Sequence, residues 1–230
     1  MLTHREKHIQ IGRYLKDVVF AANDGIVTTF AVVAGVIGAE LSTSVILIIG
    51  FANLLADGFS MATGNYLGTK SEKEFYKKEE SVERYEIETV RNKEVEEIRS
   101  ILAKKGYSGE NLAQMVDLIC SNKQYWVDFM MHEELGLFAE ESRSPFRHGI
   151  ATFFSFVIIG SVPLLPYVLG FNSFAASAVA SGAALFIAGA LRKYFSGRSW
   201  IISGLEMLIA GGLASTIAYT IGVLLKAVIA

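Results

Sequence analysis

The chain has 230 residues, 52% of them hydrophobic, with a mean hydropathy of +0.39. That is more apolar content than a soluble domain of this size needs for its core, and it marks a membrane protein. A formal net charge of −2 leaves no basic surplus for nucleic acid.

Five apolar stretches reach the roughly 20 helical residues that cross a hydrocarbon core. They cover residues 18–39, 44–67, 150–169, 173–191 and 201–225. The first is 22 residues long and lacks a small-residue cleavage motif, so it reads as a combined signal and anchor rather than a cleaved leader. Charge is gathered between the second and third stretches. Of the 44 Lys, Arg, Asp and Glu residues, 30 lie in 70–147, where 13 are basic and 17 acidic. The predicted fold class is therefore an all-α membrane protein with five transmembrane helices and a helical cytosolic domain between spans 2 and 3. Its expected parts are 1–69 (spans 1 and 2), 70–145 (the charged domain) and 146–230 (spans 3 to 5).

Basic residues resist translocation and fix orientation. Arg5, Lys7, Arg13 and Lys16 precede the first span, and 16 more lie in 70–147 and the 192–198 connection, whereas the opposite side offers only Lys226. The N-terminus and the charged domain are expected in the cytosol, with the C-terminus on the far side.

No strong helix breaker interrupts 67–90, so the second span is expected to run on into the cytosol. Asn92 is a candidate N-cap for a helix ending near Lys105, with Gly106 as its stop. Residues 108–121 and 122–136 read as two further helices, and Pro145 precedes the third span. Cys120, the single cysteine, has no disulfide or thiolate partner and reads as a small core residue.

Polar residues inside the spans carry the chemistry, because a carboxylate near the bilayer centre costs about 2.5–3.5 kcal/mol on insertion scales. The first span holds Asn23, Asp24 and Gly25. The second holds Asn53, Asp57, Met61 and Asn65, each four residues after the last and hence on one helix face. The fifth holds Glu206. Counted from the cytosolic span ends, Asp24 and Met61 both fall about 9 Å in, with Glu206 near that level and Asp57 one to two turns deeper. Carboxylates, amide oxygens and a thioether at one level can replace part of the water shell of a transition-metal ion. Taken singly, such residues also serve as interhelical hydrogen-bonding groups, and Met61 alone as filler. Gly64 and Gly68 form a small-xxx-small pattern that lets helices approach and permits a homodimer.

The charged domain carries a carboxylate ladder. Glu79, Glu83 and Glu86 share one helical stripe, Glu94 and Glu97 form an i, i+3 pair, and Met130 with Glu134 an i, i+4 pair, with Met131 and Glu133 adjacent. Like charges at such spacings repel, and bridging cations reverse that. The set suits Fe(II), Mn(II) or Zn(II) better than a closed zinc-thiolate site. The alternative is an ordinary solvated face laced with Lys77, Lys78, Arg84 and Arg91. No Glu-x-x-His pair supports ferroxidase chemistry, and His132 has no assigned role.

Three motifs together carry a resemblance. The run 23–29 (NDGIVTT), the run 52–62 (ANLLADGFSMA) with 64–67 (GNYL), and the run 126–131 (WVDFMM) followed by 134–137 (ELGL) resemble the vacuolar iron transporter family, in order over nearly the whole chain, and suggest a prokaryotic-type member. The resemblance implies a homodimer with an ion path between subunits, lined by spans 1 and 2, that exchanges protons for Fe(II) and often Mn(II), Co(II) or Zn(II). It implies Asp24 and Met61 as translocation residues, and Glu83, Glu86, Glu94, Glu97, Met130, Met131 and Glu134 as metal ligands. Plant members carry a carboxylate where this chain has Asn53. Here the acid stands one turn on, at Asp57, which leaves open the identity of the proton carrier.

The expected function is proton-coupled export of divalent iron from the cytosol, by a secondary transporter and not an enzyme, with no prosthetic group. Its partners are metal ions, protons, membrane lipid and a second copy. The membrane would be the cell membrane in a prokaryote and a vacuole-like one in a eukaryote. Two rivals remain: a membrane-anchored metal buffer or sensor, and an intramembrane aspartyl protease using Asp24 and Asp57. The absence of a Gly-x-Gly-Asp motif argues against the protease.

Overall fold

A computed structural model describes residues 4–138 and 144–229, with side chains for 14–138, 144–194 and 197–228. Arg5, Lys7 and Arg13, used above for orientation, lie outside the described side chains, as does Arg143. All regular structure among the described residues is helical: α1 (His4–Gly38), α2 (Thr43–Thr89), α3 (Arg91–Lys104), α4 (Gly109–Ser121), α5 (Lys123–Glu133), α6 (Pro145–Gly160), α7 (Leu165–Val168), α8 (Phe174–Leu191), α9 (Lys193–Ser196) and α10 (Trp200–Ile229). Five segments among them are long and apolar enough to cross a membrane, and the chain is an integral membrane protein. The chain divides into two compact units, Met1–Leu67 with Ser144–Ala230, and Gly68–Arg143.

In the first unit α1 is the central helix. Half of its membrane window is buried, against 17% for α10, and α6, α8 and α10 all pack on it. Glycine sets the closest crossings. A Cβ at Gly25 would stand 2.7 Å from the Phe156 carbonyl oxygen, and one at Gly160 would stand 2.9 Å from the Gly25 Cα. The backbones of α1 and α6 therefore touch beside Asp24, and no larger residue fits without separating them. Farther along α1, Phe30, Val33 and Val36 close an apolar cluster with Ile46, Leu164 and Tyr167.

The third span departs from the expected continuous helix over 150–169. α6 stops at Gly160, a 3₁₀ turn covers Val162–Leu164, and α7 is a single turn. Pro163 and Pro166 are the cause, since neither can donate a backbone hydrogen bond within the span. The Ser177 hydroxyl of α8 donates to the Pro163 carbonyl at 2.7 Å, which satisfies an acceptor in a region without water.

In the second unit the later turns of α2 and the helices α3, α4 and α5 surround one apolar cluster. It is built on Ile87, Ile98, Leu102, Val116, Ile119, Trp126, Val127, Met130 and Met131. Asn92 is not the N-cap of α3. It lies inside the helix, and Val90 holds the cap position without a side-chain bond, because the chain turns directly from α2 into α3. Gly106 ends that helix at φ +98°, a conformation that favours glycine. Asn122 does cap α5, its side-chain oxygen accepting from the Tyr125 N–H at 3.1 Å. Cys120 packs half-buried against the cluster, and burial raises its thiol pKa.

Candidate metal sites

In the membrane unit, Asn53, Asp57 and Met61 are half-buried on α2. They stand between a packed side with Leu54 and Gly58 and an open side with Phe51, Leu55 and Phe59. The Asn53 amide donates to Asp57 Oδ2 at 2.7 Å, so the two residues are already one polar unit. Across from them on α1, Asp24 is half-buried and near enough for its charge and that of Asp57 to repel. Met61 packs with Ala21, one turn before Asp24, and with Leu54 and Phe156. The side-chain oxygen of Asn23 is buried and has no hydrogen-bond partner. Asp24 and the Asn53–Asp57 unit thus stand close on α1 and α2, with Met61 one turn farther along the same face of α2.

Two predicted members have other partners. Asn65 donates to the Thr152 hydroxyl at 2.7 Å and so ties α2 to α6. The oxygens of Glu206 accept from Arg192 at 3.3 Å and Arg198 at 3.0 Å. Two guanidinium groups of the short cationic connection compete there with any other cation for the carboxylate.

In the second unit Glu83, Glu86 and Glu94 converge, and each offers a carboxylate oxygen within 4.8 Å of the others. Two come from α2, one turn apart, and the third from the first turn of α3, which the sharp turn at Val90 folds back against them. Glu94 is 0% exposed and Glu83 3% exposed. Both oxygens of Glu94 and Oε1 of Glu83 are buried without a hydrogen-bond partner. A buried carboxylate left in that condition is costly unless a cation or a proton compensates it.

The electrostatics reflect that cost. Burial, then the charges of Glu94, Glu134 and Glu86, push the Glu83 pKa from 4.5 to about 8. Glu94 is raised first by burial, then by Glu97 and Glu86, with Lys93 opposing. Glu134 is raised by burial and by Glu97. All five predicted carboxylates therefore act on one field. Glu97 is also engaged by Lys93 at 3.0 Å. Met130 and Met131 lie fully buried in the apolar cluster of this unit. Glu79 is half-buried, Glu133 pairs with Lys105, and His132 stacks on Phe138 at 4.9 Å.

A pH dependence follows. A metal must displace the proton that the apo cluster retains up to about pH 8. Metal affinity of the full chain in detergent should rise steadily from pH 6 to 8 and release protons on binding. Isothermal titration in two buffers of different ionisation enthalpy measures both; a flat affinity over this range would contradict the cluster as the binding site.

One polar pair lay beyond reach of the sequence patterns. His148 on α6 is 4% exposed, bonds Asp17 of α1 through Nδ1 at 2.5 Å and stacks on Tyr14 with centroids 4.3 Å apart. Neither residue belongs to a local motif, and their separation of 131 positions hides the pairing.

The family model described as "VIT family" matches residues 15–223 of this chain. The chain is 37% identical over 239 residues to a Toxoplasma gondii protein named "Vacuolar iron transporter", covering 98% of this chain and 79% of that one. It is 35% identical over 219 residues to "Vacuolar iron transporter 1" of Arabidopsis thaliana, covering 94% and 88%. It is 33% identical over 236 residues to a "Vacuolar iron transporter" of Plasmodium berghei, covering 97% and 86%.

Proposed function

The chain belongs to the VIT family, and from that premise we propose that it exports divalent iron from the cytosol in exchange for protons. The observation that carries this reading is the convergence of the half-buried Glu86 with the buried, donor-free oxygens of Glu83 and Glu94 in one unit, together with the Asp24, Asp57, Asn53 and Met61 group in the membrane unit. The first gathers metal and the second passes it through the bilayer. Glu97, Glu134, Met130 and Met131 complete or flank the gathering site. Oxygen-rich ligands with a thioether option suit Fe(II) and also admit Mn(II), Co(II) and Zn(II). The cationic flanks of the spans support a cytosolic gathering unit. Protons arriving from an acidic far side neutralise Asp24 or Asp57 and expel the ion, because a protonated carboxyl is a poor ligand.

The protein works as a homodimer in this reading. Asp57 and Asn53 border the open side of α2, and Gly64 has nothing within 4 Å of a built Cβ. A half-exposed carboxylate against lipid is costly, and the same face of a second copy would enclose it in a shared polar path.

The test is Fe(II) flux in proteoliposomes with an imposed pH gradient. Flux should follow the gradient and stop when it is collapsed. A protein that binds iron but moves none under any gradient would be a membrane-anchored buffer instead.

A further inference from the structure

Lys93 is not explained by the helix that carries it. It lies in the first turn of α3, where the helix dipole favours an acid over a base. Its ion pair with Glu97 at 3.0 Å runs from the lysine to an acid one turn later, the weaker of the two i, i+4 orientations. Other basic residues of this unit pair with acids outside the converging set: Arg84 with Glu80, Arg99 with Glu96 and Lys105 with Glu133.

The carboxylate field does explain it. The Lys93 ammonium stands 3.0 Å from Glu97 and 4.0 Å from Glu94, and its charge also acts on Glu86 and Glu134. Its side chain is 67% exposed whereas Glu94 is buried, so the cation lies at the solvent mouth of the cluster. From 4.0 Å it offsets the charge of Glu94 but bonds neither oxygen, and both remain without a hydrogen-bond partner. A metal ion held by Glu94 must instead contact those oxygens directly. Two cations so near one carboxylate repel each other. The lysine, a compact charge on a flexible four-carbon stem, is the one free to swing into solvent.

We propose that Lys93 is a tethered competitor of the transported ion, displaced from the mouth of the Glu83, Glu86 and Glu94 cluster as metal enters. It lowers the affinity of the cluster and speeds release, so that a set of buried carboxylates gathers metal without trapping it. The inference rests on reading that cluster as the gathering site.

The experiment titrates Fe(II) anaerobically into the full chain in detergent, at one pH and ionic strength, and times its release to a chelator. Wild type is compared with Lys93→Gln, Lys93→Arg and Lys104→Gln. Lys104 is exposed at the other end of α3, so its variant makes the same change in net charge away from the cluster. Lys93→Gln should bind about fivefold more tightly, the scale of exposed ion pairs, and release more slowly in proportion. Lys93→Arg, which keeps the charge, and Lys104→Gln should stay near wild type. Without metal, Lys93→Gln should unfold at a lower temperature, because buried charge loses its counter-ion, and Fe(II) should then raise that temperature by more than in wild type. A merely structural lysine would lower stability with and without metal alike. Unchanged or weaker binding in Lys93→Gln overturns the proposal, and so does an equal gain in Lys104→Gln, which would assign the effect to net charge. A wild type that binds no Fe(II), or whose binding survives Glu94→Leu, removes the gathering site itself and this inference with it.

Discussion

Asp24→Ala should reduce gradient-driven iron flux by at least about a hundredfold, equivalent to about 2.7 kcal/mol of barrier, while leaving a well-folded protein. Asp24 stands where Gly25 brings α1 and α6 into backbone contact, one turn past the Ala21 cluster on which Met61 packs. Removing its charge removes both the proposed ligand and the repulsion with Asp57. Membrane insertion becomes easier, so loss of flux cannot be ascribed to misfolding if the variant elutes as wild type. Asp57→Asn should be milder for metal passage, since Asn53 already shares its hydrogen bond and an amide oxygen remains at the site. Flux in Asp24→Ala equal to wild type would remove this residue from the path.

The second large effect has two opposite signs in one protein. Glu94→Leu should raise the unfolding temperature of the metal-free chain at pH 8 and abolish its stabilisation by Fe(II) or Mn(II). On α3 the buried positions are Glu94, Ile98 and Leu102, so a leucine extends an existing apolar stripe. The carboxylate it replaces is fully buried and has no hydrogen bond on either oxygen, with the Lys93 ammonium standing off at 4.0 Å. Replacing buried charge by apolar volume is often stabilising by about 1–4 kcal/mol. The sign with pH is fixed by linkage. Glu83, Glu94 and Glu134 all have folded pKa values above their unfolded ones, so the metal-free fold holds extra protons. Its stability is fullest below pH 4.5 and declines as pH rises toward 8. The gain from Glu94→Leu should therefore grow as pH rises and be smallest at acid pH, where the carboxyl is already neutral. Metal affinity should fall by at least about a hundredfold, since even partners outside the ligand shell are worth 10–100-fold. Thermal unfolding of the full chain in detergent, with and without metal at both pH values, reads every part. A metal-dependent shift that survives in Glu94→Leu would contradict the assignment.

The sequence carried the spans because lipid requires long uninterrupted apolar runs, and it carried the α2 row because period four is a local signal. Glu83, Glu86 and Glu94 were visible as residues, but not their closeness. Closeness depends on the turn at Val90, where no glycine, proline or capping side chain announces the bend. For the same reason the local pattern points to Asn92 as the cap, although the chain turns at Val90. Depth alone singles out Glu206, and depth says nothing about the two arginines that reach it from Arg192–Arg198. The proline break in the third span was written in plain view, yet hydropathy averages over it. Asp17 and His148 required tertiary structure outright.

Helix length also sets how the protein meets its bilayer. The third span runs 24 residues across its break, Pro145–Val168, and α8 holds 18, whereas α10 with 30 residues reaches about 45 Å at 1.5 Å per residue. A hydrocarbon slab near 30 Å suits the first two and is too thin for an upright α10. α10 must lean or project, so hydrophobic mismatch is carried by one helix of the membrane unit. Acyl-chain length is accordingly a variable of reconstitution in its own right.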